Sequence, residues 1–68
     1  MNDNDLRFET AVVFYECYLK TIEVATVEQS RLADRFYYYL HELQPTCDLY
    51  KNYEIEKPEN HIKHVTEE

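Results

Sequence analysis

The chain has 68 residues, 14 of them acidic and 7 basic, for a formal net charge of −7, and it contains no glycine. A domain of this length buries only about 60% of its unfolded surface, so its own core leaves it marginal and chains like it lean on association, metals or disulfides. Without glycine there is no Gly-rich phosphate loop, and a turn-rich β fold is disfavoured.

The acids are spread along the chain, and Lys and Arg form no cluster. Direct contact with a DNA or RNA backbone needs such a cluster, so no direct nucleic-acid binding is expected and a partner with a basic surface is favoured. The two cysteines, Cys17 and Cys47, allow one bridge at most. With the polar start "MNDND" in place of a secretory leader, they read as reduced thiols of a cytoplasmic protein. No apolar run approaches the roughly 20 residues a membrane helix needs, so no membrane partner is expected.

The first predicted element runs from Asp5 to about Val24, with Asp5 or Asn4 as its cap. At 100° per residue, Phe8, Ala11, Val12, Tyr15, Tyr18, Leu19 and Ile22 share one broad face. Leu6, Val13, Cys17 and Val24 lie on the far side of the same helix. A helix apolar on opposite sides needs cover on both, so this far side reads as an interface. Glu9, Glu16 and Glu23, seven apart, draw an acidic line beside it. The stretch "AVVFYECYL" is rich enough in β-branched and aromatic residues to rival as a buried strand, but the helical period continues on both sides of it.

The second element, about Val27 to Leu43, opens on the capping box "TVEQ", with Thr26 as N-cap and Gln29 reaching back. Pro45 stops it. Leu32, Ala33, Phe36, Tyr39, Leu40 and Leu43 share its core face. That phase makes Tyr39 core, Tyr37 boundary and Tyr38 exposed. Positions 8, 15, 22, 29, 36 and 43 also keep one heptad register through the supposed turn. A single long coiled-coil helix is therefore the alternative to a hairpin. The capping box and the helix-poor run "TIEVATV" favour the hairpin.

A short third helix, capped by Thr46, is expected before Pro58, with Leu49, Tyr50 and Tyr53 packing on the hairpin. Residues 58–68 are expected as a polar, flexible tail outside a helical domain of residues 1–57. The fold class is thus all-α, a helical hairpin plus a short third helix, dimerising into a helical bundle.

No nucleophile–base pair or paired carboxylates stand out, so no catalysis is expected. His61-x-x-His64 is a single ligand pair where zinc wants four ligands, so no metal or cofactor is expected. The site candidates are partner contacts: Val13, Cys17 and Val24 on the far face, Tyr37 and Tyr38 as wet, sticky rings, and Glu9, Glu16 and Glu23 as charge. The leading functional expectation is a small acidic regulator or inhibitor that binds a basic, nucleic-acid-handling protein, of the kind carried by phages and mobile elements. A structural dimerisation or adaptor module is the alternative, and a small metal-binding or redox protein the third.

Overall fold

The computed structural model describes residues 2–66. Helix α1 spans Asp3–Lys20, strand β1 Val24–Thr26, helix α2 Val27–Leu43 and strand β2 His64–Thr66, with single 3-10 turns at Gln44–Thr46 and Pro58–Asn60. The chain is mostly helical, and its hairpin of two helices replaces the one-helix alternative. It is not purely α: β1 and β2 pair in parallel, with Ala25 opposite Val65.

Helix α1 starts earlier than Asp5 because Asn2 caps it, its side-chain oxygen accepting from the Asp5 N–H at 2.8 Å. It ends at Lys20, not Val24, since Thr21 turns its N–H and hydroxyl back onto the Tyr18 carbonyl. The β-branched run that follows suits a strand. Helix α2 opens on the full capping box: Thr26 Oγ1 accepts from the Gln29 N–H at 3.1 Å, and Gln29 Oε1 accepts from the Thr26 N–H at 2.9 Å.

The expected third helix does not form. Its cap, Thr46, is occupied elsewhere, donating to the Leu43 carbonyl and accepting from the Asn4 side chain. The two N–H groups it would have capped, of Asp48 and Leu49, donate instead to Asp5 Oδ1 at 2.9 and 3.0 Å. Asp5 is buried. Burial alone would oppose its charge, but these backbone hydrogen bonds outweigh that and hold its carboxyl below the ordinary value of 3.8.

From Cys47 the chain runs irregularly back along α1. Gln44 Nε2 holds it by donating to the carbonyls of Tyr50 and Tyr53 at 2.8 and 2.6 Å. Tyr50 stacks on Phe8, Tyr53 meets the same ring edge-on, and the Tyr15 hydroxyl donates to the Glu56 carbonyl at 2.7 Å. Composition assigns residues 58–68 to a tail, yet Pro58 and Ile62 are buried and the Lys63 N–H reaches the Glu23 carbonyl at 2.8 Å. Glu67 and Glu68 lie outside the described residues.

The core is Phe8, Val12, Tyr15 and Leu19 of α1, Ala25 of β1, Ala33 and Leu40 of α2, and Cys47, Ile55 and Ile62 beyond. Tyr39 is not in it. Its side chain is 44% exposed and Tyr38 is 65% exposed. The α2 phase lies one step from the predicted one: Ala33 and Leu40, seven apart, point inward, which turns Leu32 and Tyr39 to the rim.

Leu40→Ala should cost about 2–5 kcal/mol as a core truncation. Tyr38→Ala should stay within about 0.5 kcal/mol and Tyr39→Ala should fall near it, measured by chemical denaturation of dilute protein. Asp5 gives a pH dependence. Its folded pKa is depressed, so the unfolded chain takes up the proton first as pH falls. The anion's contribution is complete above the ordinary value and is lost as pH falls through the folded one. The stability gap between the native chain and Asp5→Asn should therefore be widest near neutrality and narrow below about pH 4.

Candidate functional site

The molecule measures 42 × 16 × 15 Å with a radius of gyration of 12.7 Å. A compact chain of this length would have a radius near 11 Å. The excess reflects an elongated body, and one side of the hairpin keeps large apolar side chains exposed.

On α1 that side carries Leu6, Thr10, Val13, Phe14 and Cys17, flanked by Glu9. Leu6, Val13 and Phe14 are all more than half exposed, Phe14 at 59%. The spacing 6, 10, 13, 17 is one straight stripe of a helix and lies opposite the core stripe of Phe8, Val12, Tyr15 and Leu19. On α2 the same side carries Leu32, Arg35, Phe36 and Tyr39. The two stripes meet where the Phe14 and Phe36 rings pack at a tilt of 31°, centroids 5.5 Å apart. Together these exposed apolar side chains form one contiguous strip across both helices, of the kind a monomer tends to avoid.

Of the sequence candidates, Val13 and Cys17 sit on this face. Val24 does not: it is exposed, but on β1, because α1 ends first. Tyr37 and Tyr38 also fall elsewhere. They lie around α2 from Phe36, Tyr37 half-buried against His41 at 4.5 Å and Tyr38 edge-on to it at 5.7 Å. The acidic line is broken: Glu9 is exposed on α1, Glu16 accepts from the Tyr53 hydroxyl, and Glu23 is in the turn before β1. That hydrogen bond to Glu16, with burial behind it, pushes the Tyr53 hydroxyl up to about 12. Phe14, Leu32 and Tyr39 were missed as surface residues. Phe14 is absent from both predicted α1 faces, and its position between them was the available signal.

A second feature is an acidic groove beside α1, lined by Glu16, Tyr53, Glu54, Glu56, Lys57 and Glu59. His61 pairs with Glu56 of this groove, while His64 is exposed on β2. The His-x-x-His pair is thus split between two environments. Among the described residues no three His, Cys, Asp or Glu side chains gather as a metal site would. Among the same residues no helix is long and apolar enough to cross a membrane.

The chain matches no known protein-family model, no curated protein and no solved structure with which it was compared.

The thiols offer a check on the geometry. Cys17 is exposed and Cys47 is buried, with its thiol pushed up by burial and by the Asp5 carboxylate. In dilute folded protein, maleimide should label Cys17 promptly and Cys47 only on unfolding, as read by intact mass. Equal labelling of both would place Cys47 outside the core.

Proposed function

We propose that this protein is a small acidic regulator that acts by binding other protein chains and performs no catalysis. The observation that carries the reading is the apolar face shared by α1 and α2 around Phe14 and Phe36. Folded chains keep so large an apolar strip in water at a cost, and such strips mark contact surfaces.

The charge of −7 selects the partner's chemistry. A surface with twice as many acids as bases attracts basic proteins and repels nucleic acid. The groove of Glu16, Glu54, Glu56 and Glu59 concentrates that charge beside α1. An acidic protein held there would compete with a phosphate backbone for a basic surface, which is how it would inhibit a nucleic-acid-handling protein.

The test is recovery of partners from the native host on immobilised full-length chain, with Val13→Glu and Glu54→Lys/Glu59→Lys variants in parallel. The reading expects a basic partner whose binding falls steeply with ionic strength and is lost with the lysine variant. Salt-insensitive recovery, identical for all three proteins, would overturn it.

A further inference from the structure

Resting on the reading that the α1–α2 face binds protein, the charges along its two edges name the occupant. Counted from Phe14, Glu9 stands five residues before and Lys20 six after on α1. Counted from Phe36, Arg31 stands five before and Glu42 six after on α2. Each pair is eleven apart, close to three full turns, so both members lie along one line of their helix. Glu9 borders the α1 stripe and Arg31 borders Leu32. All four side chains are exposed, and the one ion pair among the described residues joins His61 and Glu56 instead.

We propose that a second copy of this chain covers the face, related by a two-fold axis that crosses the helices at the Phe14–Phe36 pair. Rotation about that axis lays α1 antiparallel on α1 of the second copy and α2 on α2. Five residues before the axis then faces six after it, each about 8 Å from the centre at 1.5 Å per residue. Glu9 meets Lys20 of the second copy, Arg31 meets Glu42 of the second copy, and symmetry repeats both pairs. The paired phenylalanines fill the middle, with Leu6, Val13, Cys17, Leu32 and Tyr39 around them.

The pattern also rejects the other face-to-face two-fold, with its axis along the helices. Since α1 and α2 are antiparallel and level at Phe14 and Phe36, that arrangement sets Glu9 beside Glu42 and Lys20 beside Arg31. Like charges would meet at all four corners. A foreign partner gives no reason for either edge to complement itself at matched distances. The one unfavourable approach in the proposed dimer is Arg35, which falls near the axis beside its own copy.

Light scattering and sedimentation equilibrium over a wide concentration range, on the full chain, decide the matter. The native chain should dimerise, and Cys17 labelling should slow as dimer forms while Cys47 stays protected. Val13→Glu should remain monomeric with an unchanged helical circular dichroism spectrum. Glu9→Lys alone should weaken the dimer about tenfold, and Glu9→Lys/Lys20→Glu in one chain should restore it to within about threefold. Arg35→Gln should tighten it. If Val13→Glu proves unfolded, the charge exchange carries the test unaided. A chain monomeric at every concentration overturns the second copy, while the regulator reading is still judged by its own partner recovery. A dimer that Glu9→Lys strengthens, or that the exchange fails to rescue, overturns the proposed axis.

Discussion

Everything after α2 depends on the Asp5 carboxylate. It sits in the first turn of α1, where the helix dipole already favours an anion. It is buried there by the chain that leaves α2, and one of its oxygens takes the N–H groups of both Asp48 and Leu49. A buried charge survives only where hydrogen bonds replace water, and here the replacements come from backbone about 40 residues downstream. Those bonds deny the segment its helix and send it along α1 as an irregular strap. Tyr50, Tyr53 and Ile55 then reach the Phe8 side of the core, and β2 can close on β1.

The strap decides which side of the hairpin stays bare. It covers α1 from the side of Phe8, Tyr15 and Glu16, held by Gln44, Tyr15 and Tyr53 through hydrogen bonds to carbonyls and a carboxylate. Among the described residues the opposite side of the same helix keeps Leu6, Val13 and Phe14 exposed. The strap therefore leaves the core and the exposed apolar face on opposite stripes of α1. It also sorts the charge, since Glu54, Glu56 and Glu59 travel with the strap and gather on the covered side.

The local features of this fold were legible in the sequence because their causes are local. The Thr26–Gln29 capping box needs four residues, and the core stripe of Phe8, Val12, Tyr15 and Leu19 needs only the helical period. The break between the helices was legible in its β-branched run. The strap was not, because what prevents the third helix is Asp5, whose side chain reads in sequence as a cap for its own helix. Ile62 was lost among polar neighbours for a similar reason: one apolar residue gives no period, and its burial comes with the turn after Pro58 and the return of the chain to Glu23. Tyr39 failed more narrowly. Leu32, Phe36, Tyr39 and Leu43 form as regular a stripe as Ala33, Phe36 and Leu40 do, and sequence cannot say which of two adjacent stripes faces inward when both are apolar. The face around Phe14 was half legible, through Val13 and Cys17, and its other half is that misread stripe of α2.

The misreading has a physical root that bears on function. Two overlapping apolar stripes on α2 are what a helix needs if it packs first within a chain and then against another. The inner stripe is built from small and compact residues, with Ala33 fully buried, which lets α2 lie close to the strap and β1. The rim stripe carries Phe36 and Tyr39, whose rings are large enough to serve the core with one edge and a partner with the other. A chain this short gains from that arrangement, because any protein that binds only the folded form adds to its stability by mass action. In the proposed dimer folding and association would draw on the same two helices, so that covering the outer face adds to what the ten buried apolar residues among those described supply.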